Sequence, residues 1–473
     1  MNLGLSCAYL APLAFDGYIP VSRDMKQIVI GFIILVFVTF SVRAQKERQP
    51  NIIVILTDDM GYGDLSCLGG KYKTPNIDRL ASQGRVFQNY YSAAPICSPS
   101  RVGLMTGMAP AKWNITSFLQ KKADNRLCEQ VDFLSTDAPF LARSLKDVGY
   151  HTAHFGKWHM GGGRDVDNAP PITAYGFDEY KSTWESPDPD PLITSTDWIW
   201  HDHDSIKRWN RTAYFVDQTL KFLNSQKGKP CFISLWPDDV HTPWIGGDDT
   251  NGKYPGGPNE ENSFISVLNE YDKQIGRLMD GLSALGIDKN TIVIFTSDNG
   301  PLPNFNDDRS VKLRGSKLSL YEGGIRMPFI IRWPGTIPSG TIDATSVISA
   351  TDLFKSLCSI AGGKYPSRYT TDGEDVSKVL LGKPASRQKN LYWEYGRNDI
   401  SFKYPNGDDR SPSLAVRQGK WKLLMNKDGS RVELFDVEAD ARETTNVAQS
   451  NPAVAQNLKD ELLKWWNELP PMR

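Results

Sequence analysis

Short apolar stretches rich in β-branched residues alternate along this chain with amphipathic stretches. Four of the apolar stretches are each followed directly by polar side chains. These are residues 51–56 before Asp58 and Asp59, 151–155 before Lys157 and His159, 231–235 before His241, and 291–295 before Asp298 and Asn299. Continuous apolar character of this kind is typical of fully buried parallel strands. Because ligands bind at the carboxyl ends of strands in open α/β sheets, we expect the four polar clusters to converge on one site.

Helical patterns lie between the predicted strands. A threonine, a proline and a terminal glycine frame residues 74–84, which predicts a helix with Thr74 as its cap and Pro75 in its first turn. Strands that alternate with helices form a doubly wound sheet with helices on both faces. The chain is therefore predicted to be an α/β protein whose main sheet is mostly parallel and sandwiched by helices.

The character of the chain changes towards its carboxyl end. Residues 414–423 read as strand, tight turn and strand, and residues 431–435 as a further strand. The tail closes on an amphipathic helix whose apolar positions form one stripe: Val454, Leu458, Leu462, Trp465 and Leu469. We therefore predict a main domain over residues 45–381 and a smaller α+β subdomain over residues 389–473, with antiparallel strands and a terminal helix.

An irregular insertion over residues 161–211 interrupts the alternation and is rich in proline, aspartate and tryptophan. Loops carry variable recognition on a fixed scaffold, so we expect substrate-specific contacts here. His201 and His203 lie within this insertion, and we interpret them as solvated loop residues rather than as metal ligands.

The amino-terminal segment has the pattern of a leader. Arg23 and Lys26 precede an apolar run over residues 28–42, and a small residue, Ala44, stands at a possible cleavage site. The run is short for a comfortable membrane span, so no stable span is expected. We predict a signal peptide over residues 1–44, with Met25 as an alternative start, and export to the periplasm or beyond. A retained anchor is the alternative.

Composition excludes some classes of protein. The formal net charge of the 473 residues is −1, so the chain lacks the excess of positive charge that is typical of nucleic-acid-binding proteins. It also has no long run of basic residues that would bind a membrane surface. Of six cysteines, five follow the leader, and none stands in a C-x-x-C pair. An exported protein can form disulfides, and the sequence leaves the pairing open.

The segment Cys97-Ser98-Pro99-Ser100-Arg101 carries the most specific chemistry. Serine and proline favour the start of a helix, which would place Cys97 beside free backbone N–H groups and the positive end of a helix dipole. Arg101 adds a permanent cation whose planar fork of donors fits the oxygens of sulfate or phosphate. This segment therefore predicts an anion site.

Oxygen-bearing side chains follow two of the predicted strands. Asp58 and Asp59 follow the predicted strand over residues 51–56, and Asp298 and Asn299 follow the one over residues 291–295. Hard oxygen ligands of this kind suit calcium or magnesium rather than zinc. Either dipeptide alone is also typical of a turn.

Several motifs in this order resemble those of the sulfatase family. They are residues 51–54 with 58–64, 74–80, 97–107, 156–159, 241–243, 297–300, and 314–317 with 321–328, so the similarity spans roughly residues 50–435. Ser316 stands where many members have glycine. The resemblance implies an alkaline-phosphatase-like fold and a formylglycine-dependent enzyme, in which a sulfatase-maturating enzyme oxidises Cys97 to formylglycine and the hydrated aldehyde is the nucleophile.

The resemblance also implies roles for particular residues. One calcium ion is expected to bind Asp58, Asp59, Asp298, Asn299 and the modified Cys97. The expected sulfate-binding and catalytic residues are Cys97, Arg101, Lys157, His159, His241 and Lys317. Among these, His241 resembles the acid that protonates the departing alcohol, and His159 either holds the hydrate or takes its proton.

The leading hypothesis is a sulfuric ester hydrolase that removes sulfate from a sulfated carbohydrate. The alternatives are a phosphate mono- or diesterase of the same superfamily, and a non-catalytic glycan-binding protein in which Cys97 stays unmodified. The sequence leaves open the sugar, the sulfated carbon and the mode of cleavage. For four further charged residues, structural ion pairs and substrate contacts are equally compatible with the sequence: Asp64, Arg164, Asp238 and Arg326.

Overall fold

A computed structural model describes residues 49–196, 199–247, 260–396 and 407–471. The predicted leader over residues 1–44 lies outside the described residues. Within the described residues, no helix combines the length and apolar character that crossing a membrane requires.

The main sheet has eight strands in the order β4-β3-β5-β1-β6-β7-β2-β8. Its strands are β1 (Asn51–Thr57), β2 (Arg85–Tyr91), β3 (His151–Gly156), β4 (Glu179–Ser182), β5 (Cys231–Trp236), β6 (Thr291–Ser297), β7 (Arg326–Arg332) and β8 (Thr341–Ser349). Among these described strands, β7 alone runs against the others, since it pairs antiparallel with both β6 and β2. The prediction of a mostly parallel sheet is confirmed. The four strands that precede the predicted polar clusters, β1, β3, β5 and β6, are neighbours in the centre and on one side of the sheet.

Helices cover both faces of this sheet. The helices in the described residues are α1 (Pro75–Ser82), α2 (Cys97–Thr106), α3 (Lys122–Leu127), α4 (Leu141–Lys146), α5 (Arg211–Ser225), α6 (Glu261–Ala284), α7 (Glu322–Ile325), α8 (Ala350–Ala361), α9 (Ser377–Leu380) and α10 (Pro452–Asn467). Along β1, Ile52 and Val54 join the core formed with α2, α4 and α8, whereas Ile53 and Ile55 join the core formed with α1, α5 and α6. Burial of each such aliphatic side chain stabilises the fold by roughly 1.5–3 kcal/mol.

Helix α1 forms where the sequence predicts it, but its start differs in detail. Thr74 stands at the cap position without capping, because its hydroxyl bonds Asp78 Oδ1 at 3.2 Å. The free N–H groups of Asn76 and Ile77 instead donate to Asp272 Oδ1, at 3.0 and 2.9 Å. A carboxylate on α6 has replaced the local cap.

A second, antiparallel sheet of four strands has the order β12-β11-β10-β9. Its strands are β9 (Leu391–Glu394), β10 (Leu414–Gln418), β11 (Trp421–Met425) and β12 (Glu433–Asp436). Helix α10 packs Leu458, Leu462 and Trp465 onto it, as the amphipathic stripe predicts. The sheet and terminal helix confirm the expected α+β character, while the boundaries 45–381 and 389–473 stay a prediction.

Buried charges and aromatic rings join the two sheets. Lys422 on β11 is fully buried and lies 2.9 Å from a carboxylate oxygen of both Glu322 and Glu443. The indole of Trp393 donates to the carbonyl of Ser92 at 2.8 Å. An unpaired charge buried in the protein would be costly. The ion pairs of Lys422 therefore favour one fixed position of the small sheet against the segment that precedes Cys97.

Candidate active site

The pairing of β1 with β6 brings the two acidic dipeptides together. These neighbouring parallel strands are in register up to Thr57 and Ser297, so the next residue of each strand emerges at the same edge. The backbone N–H of Asp59 then donates to Asp298 Oδ1 at 3.2 Å. Asp59 has a φ of 61°, a left-handed conformation that is uncommon outside glycine and is held here by this contact.

Two lysines form ion pairs with the carboxylates of this cluster. Lys157 Nζ is 2.7 Å from Asp58 Oδ2, and Lys317 Nζ is 2.7 Å from Asp59 Oδ2. Burial works against ionisation of Asp58, but the positive charges around it, Lys157 foremost, outweigh burial and hold its pKa well below its usual range. The positive charges around Asp59, Lys317 foremost, likewise outweigh burial and lower its pKa, so both pairs are charged inside the protein.

A glycine turn delivers Lys157 to the cluster. Gly156 ends β3 with a φ of 125°, and a β-carbon at this position would lie 1.9 Å from the carbonyl oxygen of Trp236. The next N–H, that of Lys157, donates to the same carbonyl at 2.8 Å. A side chain at position 156 would prevent this close approach of β3 and β5.

Arg101 links the cluster to helix α2. Its guanidinium is fully buried and donates to Asp298 Oδ2 from Nη2 at 2.7 Å and from Nε at 3.1 Å. Its Nη1 donates to the carbonyl of Lys157 at 2.8 Å. Burial and the neighbouring Asp58 carboxylate raise the pKa of Asp298 to about 7 despite this guanidinium. Burial and the neighbouring carboxylates thus oppose the negative charge of Asp298 more strongly than Arg101 supports it.

Cys97 is the first residue of α2, with Ile96 extended before it. The prediction of a helix start here is confirmed, although serine does not cap the helix: Ser98 Oγ accepts from the N–H of Leu119 at 2.9 Å. The Cys97 side chain is buried, and burial raises the pKa of its thiol to about 11. An unmodified thiol is thus protonated at neutral pH and is a poor nucleophile here.

The two predicted histidines have opposite tautomers. His241 Nδ1 lies 2.5 Å from the carbonyl of Thr242, and since a carbonyl only accepts, Nδ1 carries the hydrogen. Its Nε2 faces Lys317 Nζ at 3.3 Å and Asp59 Oδ2 at 3.6 Å. His159 instead bonds the carbonyl of Leu119 through Nε2 at 3.1 Å, which leaves Nδ1 buried without a partner in the described part of the chain.

The donor set fits a hard divalent cation. Asn299 donates from Nδ2 to Asp59 Oδ1 at 2.7 Å, and this orients the amide oxygen away from that carboxylate. Asp58 Oδ1 and Asn299 Oδ1 are both buried and accept no hydrogen bond from the residues described. Ligating atoms of Asp58, Asp59 and His241 lie within 4.8 Å of one another. Buried oxygens left unsatisfied are costly, and calcium prefers such oxygen ligands.

The structure gathers the ten predicted site residues in one region, and their individual roles stay predictions. Direct contacts of 3.6 Å or less connect Asp58, Asp59, Arg101, Lys157, His241, Asp298, Asn299 and Lys317. His159 joins through Glu185, which lies 3.5 Å from His159 and 3.4 Å from Lys157. Cys97 is close enough for Lys157 and Lys317 to influence its thiol. By contrast, the side chain of His201 is 41% exposed, as expected of a loop residue.

Three of the four charged residues left open by the sequence form ion pairs, and those of Asp64 and Asp238 are buried. Asp64 pairs with Arg309 at 2.8 Å, Asp238 with Arg211 at 2.8 Å, and Arg326 contacts Glu322 at 3.5 Å. Arg164 differs, since it lies at the site, 3.6 Å from Glu185, with its guanidinium 4.3 Å from the centre of the Trp184 ring.

Two site residues carry no sequence signal that would have identified them. Glu185 lies in the irregular insertion and has a carboxylate between Lys157 and His159. Arg309 is fully buried and donates from Nη2 to the backbone carbonyl of Asp59 at 2.7 Å. Neither belongs to a strand or an α-helix, and the path of such a segment does not follow from hydrophobic periodicity.

Comparisons with known proteins agree with this geometry. The family model described as Sulfatase matches residues 50–363, and the model described as N-sulphoglucosamine sulphohydrolase, C-terminal, matches residues 316–468. An N-acetylgalactosamine-6-O-sulfatase of Bacteroides thetaiotaomicron is 29% identical over 88% of this chain and 93% of its own length. The N-acetylgalactosamine-6-sulfatase of the dog is 31% identical over 74% of this chain and 69% of its own length.

Solved structures give the same result. A sulfatase from a Bacteroides thetaiotaomicron locus for the metabolism of multiple glycosaminoglycans has a TM-score of 0.72 at 26% identity, covering 88% of this chain and 99% of that one. Ps i-CgsB in complex with k-i-k-neocarrahexaose has a TM-score of 0.70 at 26% identity, covering 88% of this chain and 92% of that one. With a family model that covers more than half of its residues, this chain belongs to the sulfatase family and is a sulfuric ester hydrolase.

Proposed function

We propose that this enzyme removes sulfate from a sulfated carbohydrate, with calcium bound at the acidic cluster and Cys97 converted to formylglycine. The observation that carries the proposal is the position of Cys97 at the amino end of α2, one helical turn before Arg101 and within the electrostatic influence of Lys157 and Lys317. N-acetylgalactosamine 6-sulfate is the first candidate substrate, because relatives from a bacterium and from mammals are named for it.

The charges around Cys97 support an anionic substrate once a cation is bound. Four carboxylates and four cations face one another in this region: Asp58, Asp59, Glu185 and Asp298, and Arg101, Lys157, Arg164 and Lys317. A divalent ion would change this balance to a net positive charge. A buried cluster of side chains with that net charge favours the single charge of a sulfate ester and its transition state.

Two groups that the unmodified polypeptide does not itself provide would supply part of the chemistry. Asp58, Asp59, Asp298 and Asn299 would hold calcium, which acts as a Lewis acid toward the sulfate oxygens. Formylglycine at position 97 would supply a nucleophilic hydroxyl that a buried, protonated thiol does not.

The remaining steps belong to residues of the chain. Lys157 and Lys317 bind and orient the sulfate group, and Arg101 fixes Asp298 and the carbonyl of Lys157. His241 is the acid for the departing alcohol: its neutral ring carries the hydrogen on Nδ1, so Nε2 takes up a second proton before it donates one. Burial together with Lys317 lowers the pKa of His241, which makes the doubly protonated ring a strong acid. We assign His159, whose Nδ1 has no partner in the described residues, to accept a proton from residue 97.

The phosphatase alternative is less well supported. Two-zinc phosphatases need more nitrogen and carboxylate ligands than one hard-ion site, and this chain has six histidines in all. Of these, only His241 has a ring atom grouped with the acidic cluster in the described residues. The glycan-binding alternative depends on the chemical state of Cys97 and is separated by experiment.

The deciding experiment measures the mass of the tryptic peptide over residues 86–101 and the activity of the same preparation. Formylglycine makes this peptide lighter than its thiol form. We expect the lighter peptide together with sulfate release from a panel of sulfated mono- and oligosaccharides. A thiol peptide from the native host, with no sulfate release, would support the glycan-binding alternative, and phosphate release in preference to sulfate would support the phosphatase.

We also propose that the enzyme is exported and is modified at Cys97 by a maturating enzyme. The basic residues Arg23 and Lys26 before the apolar run of residues 28–42 support export. Sequencing the amino terminus of the mature protein tests this, and a terminus at residue 45 is the expected result.

A further inference from the structure

One buried arginine connects the insertion to the segment that carries His241. Arg208 begins the short 3-10 turn Arg208–Asn210 at the end of the insertion, and it is 1% exposed. Its guanidinium donates from Nη1 to Asp239 Oδ1 at 2.7 Å and from Nη2 to the carbonyl of Asp238 at 2.8 Å. A further bond from Nη2 reaches the carbonyl of His241 at 3.2 Å. The same fork thus bonds both ends of the segment 238–241.

The opposite side of this segment lies against the acidic cluster. The N–H of Asp58 donates to the carbonyl of Asp239, and the N–H of Val240 donates to the carbonyl of Asp58, both at 3.1 Å. The segment is therefore held between Asp58 on one side and Arg208 on the other. His241 follows at once, with its ring fixed through Nδ1 to Thr242. A shift of this segment would move His241 Nε2 relative to Lys317.

We propose that Arg208 is a positioning residue for proton transfer: it fixes the segment 238–241 so that His241 Nε2 meets the leaving oxygen of the sulfate ester. The inference rests on the proposed function, in which His241 is the acid. A planar fork with several donors suits this task, because it holds two carbonyls and a carboxylate at once, which a lysine ammonium on a flexible stem does not. A misplacement of about 1 Å can cost about a hundredfold in rate.

Arg211 provides a matched control on the next turn of the chain. It is equally buried and lies 2.8 Å from Asp238 Oδ2, but its other donors bond Asp204 and the carbonyls of Ile193 and Ile199. It therefore anchors the insertion without bonding the backbone of the segment 238–241. A purely structural role for the whole network would make Arg208 and Arg211 equivalent.

The test is a double-mutant cycle on the full-length, calcium-loaded enzyme. The substrate is N-acetylgalactosamine 6-sulfate, unless the wild-type enzyme prefers another sulfate ester of the panel, which is then used instead. We compare wild type, Arg208→Lys, His241→Asn, the double variant and Arg211→Lys. Arg208→Lys is expected to lower kcat at least tenfold with KM changed less than threefold. In the His241→Asn background the same substitution should cost less than twofold, because the acid it positions is gone. Arg211→Lys should lose less than threefold.

Other results would overturn the proposal. One is a full loss of kcat from Arg208→Lys in the His241→Asn background, so that the two losses multiply. Another is an equal loss of kcat in Arg211→Lys. A third is recovery of the activity of Arg208→Lys by excess calcium, which would mean that Arg208 acts through the cation site. If Arg208→Lys does not fold, Asp239→Asn replaces it in the same cycle, since it removes the charge that Arg208 Nη1 binds. Failure of the proposed function is seen separately, as a wild-type enzyme that releases no sulfate from any ester.

Discussion

Asn299 donates its side-chain N–H to Asp59 Oδ1 at 2.7 Å, and its own buried Oδ1 has no hydrogen-bond partner among the residues described. An amide oriented in this way presents an oxygen to a site where Asp58 Oδ1 is also unsatisfied. We therefore expect calcium to raise the melting temperature of the metal-free enzyme, since a ligand at a hundred times its Kd stabilises the folded state by about 2.7 kcal/mol.

Calcium chelation should lower activity by at least about a hundredfold, because the cation stabilises charge in the transition state. Activity and melting temperature are measured with calcium, magnesium and zinc added back. Asn299→Ala should lose most of the calcium response, whereas Asn426→Ala, on the small antiparallel sheet's turn, should keep it. An enzyme equally active after exhaustive chelation would contradict the cation site.

Replacing Cys97 by alanine should reduce sulfate release by at least about a thousandfold without unfolding the protein, because it removes the group that becomes the nucleophile. The matched control is Cys358→Ala, another fully buried cysteine, on α8. That variant should retain activity and lose only stability. Steady-state rates and melting curves check both variants, and an active Cys97→Ala enzyme would disprove the assignment.

Lys317→Ala should lower kcat/KM by roughly a hundredfold to a thousandfold, as expected for a preorganised electrostatic group. Lys317 is 8% exposed in its side chain and bonds Asp59, whereas Lys312 on the same loop is 50% exposed. Lys312→Ala should therefore change activity less than twofold. Comparable losses in the two variants would show that the loop, and not the Lys317 charge, matters.

Acid sensitivity should depend on His154. This imidazole is fully buried among Trp158, Phe177 and Trp236, and burial lowers its pKa from 6.5 to about 3. As pH falls from 6.5 towards 3, the unfolded chain takes up a proton that the folded protein does not, so stability falls by about 1.4 kcal/mol per pH unit from this group. Above pH 6.5 the group has no effect.

The variant His154→Phe should therefore lose less stability than wild type between pH 7 and pH 5, although overpacking lowers its stability at every pH. Denaturant unfolding at each pH gives the two slopes. Parallel slopes would mean that His154 takes up its proton inside the fold.

The sequence predicted those parts of the site that stand directly after strands. Asp58, Lys157 and Asp298 could be predicted in this way, because an apolar run followed by a polar residue indicates both the strand and its carboxyl end. His241 belongs to the polar cluster that follows β5. Parallel pairing then brings such ends to one edge. The resemblance supplied the role of Cys97, which no periodicity reveals.

The contacts that the sequence did not predict are distant in the chain or lie in loops. Thr74 precedes a proline and suggests a local cap, yet Asp272 accepts from the helix N–H groups across 196 positions. Arg208 and Arg309 reach the site from irregular segments and bond backbone carbonyls, which are identical at every residue and leave no signature in the sequence.

The position of β1 in the middle of the sheet has a consequence for how the enzyme is made. Asp59 on one side of the β1–β6 seam and Asp298 on the other are 239 positions apart, so the first pair of acidic residues has no counterpart until more than half of the chain has been synthesised. Truncated or half-assembled molecules would keep Asp58 and Asp59 but lack the opposing pair. Ion uptake should thus distinguish polypeptides that have completed synthesis and strand insertion from those that have not.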